Sequence, residues 1–149
     1  MESIFQEATK LSSEDDQFVI ATVVRTKGST PQKPGSKLLV RRDGSAIGTL
    51  GGGCVEGDIW FMAKEIMRND LGPTYQDYYL NEEIAAKDGL VCGGTMYFYI
   101  EPFRQPKTFI NLGNKILDAY HGGDSVTIAT VVNSTSGDRM GSRMIIGRD

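Results

Sequence analysis

At 149 residues the chain is long enough for one ordinary domain and too short for two large ones. With 40% hydrophobic residues, 23% charged residues and a net charge of −3, it falls in the soluble globular range and shows no basic nucleic-acid footprint. No apolar run is long enough to span a bilayer, and the acidic N-terminus MESIFQEATKLSSEDDQ lacks a signal-peptide core, so a cytoplasmic protein without membrane or nucleic-acid partners is expected.

Ile4, Phe5, Ala8 and Leu11 recur at helical spacing, which predicts a short amphipathic helix over Ser3 to Leu11. QFVIATVV, Gln17 to Val24, is β-branched and nearly continuously apolar, as a strand buried on both faces is. RTKGSTPQKPG follows as a loop, because its glycines and prolines disfavour a regular element. SKLLVRRDGSAIGTL reads as a hairpin turning at Asp43-Gly44. Val55, Ile59, Met62 and Ile66 then mark one face of a helix running from about Cys54 to Arg68, stopped by Gly72-Pro73. TYQDYYL is aromatic-rich and strand-like, NEEIAAKDGLVCGG is a polar loop or helical turn, and TMYFYIEP is a strand closed by Pro102. FRQPK reads as a linker, and Ile110, Ile116, Leu117 and Tyr120 mark a second amphipathic helix over Thr108 to Tyr120. The fold class expected is α/β or α+β: a mixed sheet with helices packed on it.

The end of the chain resembles its beginning. VIATVV (Val19 to Val24) returns as TIATVV (Thr127 to Val132), and GSKLLVRRD (Gly35 to Asp43) returns as GSRMIIGRD (Gly141 to Asp149). Each copy follows a helix and an acidic turn. The division expected is residues 1–102 as one domain and 103–149 as linker, helix and the start of a partial second copy. A unit that stops inside a hairpin leaves an unpaired edge, so the chain is expected to be a fragment of a longer protein.

Two places carry candidate chemistry. Gly51-Gly52-Gly53-Cys54 stands where a strand gives way to a helix, and a glycine-rich helix N-terminus offers N–H groups to an anion. The spacing is neither a P-loop nor GxGxxG, and a tight turn without a ligand explains the run equally well. The same helix end favours the thiolate of Cys54, whereas a small buried hydrophobe is the plainer role of a cysteine. Cys92, followed by Gly93 and Gly94, stands at a loop-to-strand junction. If both junctions lie at one end of the sheet, two thiols and a bed of glycine amides line one crevice, and sulfur suits soft metal centres. Without a CxxC pair, and with His121 as the single histidine, a structural zinc site has too few ligands. A disulfide is disfavoured in a reducing compartment. Lys27, Ser29, Thr30 and Ser36 offer donors on the loop after the first strand, where a plain solvated loop is the simpler reading. Glu56 and Asp58 fit the helix dipole, with proton transfer by Glu56 the lesser role.

ATVVRTKGSTPQKPGSKLLVRRDGSAIGTLGGGCVEG, followed by CGGTMYFYIEP, resembles the N-terminal domain of the XdhC/CoxI family of xanthine dehydrogenase accessory and maturation proteins, over roughly Phe18 to Pro102. The resemblance implies a chaperone, not an enzyme, that binds molybdenum cofactor as cargo and hands it to a xanthine dehydrogenase-like molybdenum hydroxylase. A cysteine desulfurase and a homo-oligomeric assembly are further partners it brings into view. Mapped by motif, the implied cofactor-binding residues are Gly51, Gly52, Gly53, Cys54 and Glu56, then Cys92, Gly93 and Gly94, with Lys27 and Ser29 from the GSTP loop. Cys54 and Cys92 are the implied molybdenum contacts. Two other classes fit the same residues: a partner-binding domain that holds no cofactor, and a thiol-dependent redox or nucleotide-using enzyme. Family members commonly continue into a Rossmann-like domain opened by a glycine-rich fingerprint, and no such fingerprint stands in these 149 residues. In the second copy NSTSGDRMGSR lacks the GSTP spacing and both prolines, so no second site of that kind is assigned to it.

Overall fold

The computed structural model describes residues 1–80, 93–136 and 139–147. Helix α1 (Glu2–Ser13) turns Ile4, Ala8 and Leu11 inward, the apolar spacing that makes it a helix also making it a lid for a sheet. Strand β1 (Phe18–Lys27) then runs through the centre of a five-stranded sheet ordered β3-β2-β1-β5-β4, with β2 at Lys37–Arg41, β3 at Ala46–Gly48, β4 at Thr74–Tyr79 and β5 at Thr95–Phe103. Helix α2 spans Gly53–Arg68 and helix α3 spans Ile110–Tyr120. The class is the expected one, helices on a sheet, but the sheet is not mixed: every strand pair within it is antiparallel. The β2–β3 pair has the shortest connection, a hairpin in which Gly44 (φ +88°) takes the left-handed conformation that Asp43-Gly44 signals.

Because β1 is central, its alternate residues serve two cores. Val19, Ala21 and Val23 pack with Val55, Ile59, Ala63 and Ile66 of α2, while Phe18 and Ile20 pack with α1 and α3. That is the physical content of the continuous apolar run in QFVIATVV. The buried stripe of α2 uses Ala63, with Met62 only partly buried beside it. The β1–β5 ladder shifts register between Val23 and Arg25, a bulge at Val24.

Three local expectations are corrected. Strand β5 does not close at Pro102: it continues to Phe103, whose ring stacks on Phe18 at 4.7 Å, a contact that outweighs the one donor proline lacks. FRQPK is not a bare linker, since Phe103 belongs to β5 and Pro106–Phe109 form a 3₁₀ turn that buries Phe109 against Phe18 and Phe103. In α3 the buried face is Leu112, Gly113 and Ile116, and Tyr120 is exposed, because the helix packs on α1 and the sheet together. The NEEIAAKDGLVC stretch, 81–92, lies outside the described residues.

Strands β6 (Thr127–Thr130) and β7 (Arg143–Ile146) form a separate two-stranded sheet, and the sequence repeat is a structural one. Val19↔Val40, Ile20↔Leu39, Ala21↔Leu38 and Thr22↔Lys37 correspond rung for rung to Thr127↔Ile146, Ile128↔Ile145, Ala129↔Met144 and Thr130↔Arg143. Beyond the ladder, Val23 N–H donates to Ser36 O and Gly35 N–H to Val23 O, as Val131 N–H does to Ser142 O and Gly141 N–H to Val131 O. Gly35 and Gly141 both take positive φ, which the turn into the second strand requires. The copies differ in what covers them. Leu38, Leu39 and Val40 are core, whereas Met144, Ile145 and Ile146 are each more than 40% exposed.

One prediction belongs to the β2–β3 turn. Replacing Gly44 with alanine is expected to cost about 1–2 kcal/mol, the penalty of a left-handed residue with a Cβ. The added Cβ meets only the flexible end of Lys64, at 3.3 Å from Nζ, so sterics add little. A urea midpoint unchanged by Gly44→Ala contradicts this.

Candidate functional site

The glycine run builds a turn that no other residue type fits well. Gly51 (φ +113°), Gly52 (φ +72°) and Gly53 (φ +60°) are all left-handed, and Gly52 is the N-cap of α2. At Gly51 sterics add to the backbone requirement: a Cβ there lies 2.6 Å from Pro31 Cβ. At Gly52 a Cβ meets nothing within 4 Å, so the turn is open above its middle residue.

The turn is tied by its own helix. One carboxylate oxygen of Glu56, Oε2, accepts from Thr49 Oγ1 at 2.7 Å, Leu50 N–H at 2.8 Å and Gly52 N–H at 3.1 Å. Gly51 N–H donates to Thr49 Oγ1. Burial alone raises the Glu56 pKa, but the Leu50, Thr49 and Gly52 hydrogen bonds outweigh it and hold the carboxyl below its ordinary value. Glu56 is therefore a staple of the glycine turn, its oxygen occupying amides that the glycine run otherwise offers to a ligand. A carboxylate four residues past the N-cap glycine, reaching back to that glycine's N–H, is the signal in the sequence, a relative of the capping box shifted by one position.

The GSTP loop and the glycines before β5 pack against each other. A Cβ on Gly94 lies 2.4 Å from Ser29 O, 2.6 Å from Lys27 O and 2.8 Å from Thr30 Cγ2. A Cβ on Gly28 (φ +74°) lies 3.2 Å from Gly94 Cα and 3.5 Å from Gly93 O. Together with the Gly51–Pro31 contact, this joins three motifs far apart in sequence at one end of the sheet: Lys27 to Pro31, Gly51 to Cys54, and Gly93-Gly94. Lys27, Ser29, Gly53 and Cys54 are all exposed there. Of the residues singled out from sequence, Gly28, Lys27, Ser29, Gly51, Gly93 and Gly94 are thus shown to share a neighbourhood. Cys92 lies outside the described residues.

Cys54 sits in the first turn of α2, where the helix end stabilises a thiolate. It is electrostatically linked to Tyr78, whose pKa is raised by burial, by a 2.7 Å hydrogen bond to Asp58 Oδ2, and by the charges of Asp58 and Cys54. The Tyr78–Asp58 pair is a neighbour of the site that the linear sequence did not single out, since β4 meets α2 only in the folded chain. His121 caps α3 and lies 3.0 Å from Glu2 Oε1, a structural role. Among the described residues no group of three His, Cys, Asp or Glu side chains is placed to hold a metal ion. No helix among them is long and apolar enough to cross a membrane.

The chain is similar to a probable xanthine dehydrogenase subunit of Bacillus subtilis, with 30% identity over 127 residues, 84% of this chain and 38% of that protein. It is also similar to the uncharacterized protein YqeB of Escherichia coli, with 35% identity over 98 residues, 66% of this chain and 18% of that protein. Among solved structures, one titled a xanthine dehydrogenase from Bacillus halodurans matches with a TM-score of 0.68 and 26% identity, over 89% of this chain and 39% of that one. The chain thus spans less than two fifths of the length of the relatives it matches. The family model described as XdhC and CoxI family matches residues 11–78, which contain both the GSTP loop and the glycine turn with its Glu56 staple. Over residues 11–78 the chain is therefore similar to the XdhC and CoxI family.

Proposed function

We propose that this chain belongs to an accessory protein that holds molybdenum cofactor as cargo for a xanthine dehydrogenase-like molybdenum hydroxylase. The observation that carries the reading is the close packing of the Lys27–Pro31 loop on Gly94 and Gly51, beside the exposed thiol of Cys54 and the N-terminus of α2. A cargo with a phosphate and dithiolene sulfurs asks for N–H donors, a cation and a soft partner. Gly53 at the helix end, Lys27 and Ser29 supply the first two, and Cys54 with Cys92 supplies the third. The family match and the names of the relatives point to the same enzyme class. Residues 1–102 are then the family-type domain, and 103–149 the helix and hairpin of a partial second copy. The recipient hydroxylase is the main partner, with a cysteine desulfurase and a second copy of the chain as further ones; the role is that of a carrier rather than a catalyst.

The test is retention of cofactor after mixing the protein with molybdenum cofactor and removing the excess, read by molybdenum and pterin content. Cys54→Ser is expected to lower retention at least about tenfold while leaving thermal unfolding unchanged, because the side chain is exposed and its replacement nearly isosteric. Unchanged retention in Cys54→Ser points instead to a partner-binding domain, and turnover by the protein alone points to an enzyme.

A further inference from the structure

The second hairpin encloses a cleft of ≈ 310 Å³ against the sheet face that carries α1 and α3. Thr22 and Lys37 line it from the first copy, and their repeat counterparts Thr130 and Arg143 line it from the second. Ile20 and Ile128, again counterparts, give it apolar walls. Strand β5 contributes Tyr99 and Glu101 at the polar end, where Gly141 of the second copy closes over them: a Cβ on Gly141 lies 3.1 Å from Tyr99 Oη. Duplication has thus produced two facing surfaces with the same chemistry, a threonine and a cation on each side.

Two features of this cleft are costly for a structure that only needs to be packed. First, its cations outnumber its anions. Arg143 pairs with Glu101 and lies over the Phe103 ring at 5.4 Å, while Lys37 Nζ donates to Thr22 Oγ1 at 3.0 Å. Glu101 is the one carboxylate among the described lining residues, facing two cations. Burial brings the Lys37 pKa down to about 8, so the ammonium persists at neutral pH in a largely apolar setting. Second, Tyr99 is 4% exposed and its hydroxyl makes no well-formed hydrogen bond among the described residues, because the nearby Glu101 carboxylate is engaged by Arg143. An orphaned buried hydroxyl typically costs about 1–3 kcal/mol, and a phenylalanine fills the same volume without that cost. Both features are relieved by one kind of guest, an acceptor bearing a single negative charge.

We propose that the cleft between the two hairpin copies binds a small organic monoanion with an apolar body, an aromatic or branched-chain carboxylate. Its carboxylate is received by Lys37, Arg143 and Tyr99 Oη, and its body lies between Ile20 and Ile128. The volume is at the lower end of ligand pockets, about 300–1,000 Å³, which suits a single ring or a branched chain rather than a nucleotide. This site is built from different residues than the glycine turn, and a ligand in it bridges the two copies.

Phenylacetate and 4-methylpentanoate are the probes, titrated into the protein by calorimetry with the methyl signals of Ile20 and Ile128 followed by NMR. Saturable binding below about 1 mM is expected, with shifts at both isoleucines. Phenylacetamide, neutral and of nearly the same shape, is expected to bind at least about tenfold more weakly, since a charge-assisted contact is lost. Tyr99→Phe is expected to fold at least as stably as the parent and to weaken phenylacetate binding about tenfold, and Lys37→Met and Arg143→Met to weaken it further. Cys54→Ser leaves this binding unchanged, so the outcome is separate from that of the cofactor test. The proposal is overturned if neither carboxylate saturates, if phenylacetamide or inorganic phosphate binds as tightly, or if Tyr99→Phe binds phenylacetate like the parent.

Discussion

Gly94→Ala is expected to lower the unfolding temperature by about 6–12 °C, corresponding to about 3 kcal/mol for a chain of this size. Gly94 is buried between the start of β5 and the Lys27–Thr30 loop. An added methyl meets two carbonyl oxygens, Ser29 O at 2.4 Å and Lys27 O at 2.6 Å, and backbone cannot swing aside as a lysine tip can. The usual gain from Gly→Ala through a stiffer unfolded chain, about 0.4–1 kcal/mol, is too small to offset this. Relief requires the loop to lift away from β5, so the same variant is expected to lose cofactor retention. Gly72→Ala is the control: its Cβ meets nothing within 4 Å, and it is expected to be near neutral. Equal melting of Gly94→Ala and Gly72→Ala contradicts the packing described for the loop.

Glu56→Ala is the second large effect, expected to cost about 2–3 kcal/mol, because it strips a charged acceptor from three donors at once. Its half-exposed position lets water recover part of the loss, which keeps the figure below the sum of three such bonds. The pH dependence follows from the direction of the shift. The carboxyl titrates lower in the folded protein than at its ordinary 4.5, so its stabilisation is fully present above that value and is lost as pH falls through the folded pKa. The stability difference between the parent and Glu56→Ala is therefore expected to be constant from neutral pH down to about 5 and to shrink in more acidic solution. Chemical denaturation of both proteins across that range checks it. A difference that grows on acidification contradicts the staple.

These two residues also show how far the linear chain could be read. Glu56 in GGGCVEG is visible as an acid in the first turn of a helix, and the dipole accounts for an acid there. Its reach back to Gly52, Leu50 and Thr49 depends on how the three left-handed glycines fold the turn, which a periodicity does not contain. Gly94 is visible as one of a pair before a strand. Nothing within ten residues of it says that its neighbour is Ser29, because that contact is made by the antiparallel pairing of β1 with β5, which sets Lys27 opposite Thr95. Pro102 and FRQPK were misleading for a related reason. A local breaker rule was overruled by the aromatic cluster of Phe18, Phe103 and Phe109, assembled from segments more than eighty residues apart.

By itself the sequence determined whatever short-range physics controls: the inward stripe of α2 through Val55, Ile59 and Ile66, the Asp43-Gly44 turn, the two-faced burial of β1, and the recurrence of one hairpin unit at both ends of the chain. Backbone stereochemistry and the burial of apolar side chains act within a few residues, so such features are written locally. The tertiary structure alone decided which loops meet at the glycine turn, that Glu56 fastens it, and that the two hairpin copies confront each other with Thr22, Lys37, Thr130 and Arg143 across one cleft. Those outcomes depend on strand order and register, and they are settled only when distant segments compete for the same faces of a single sheet.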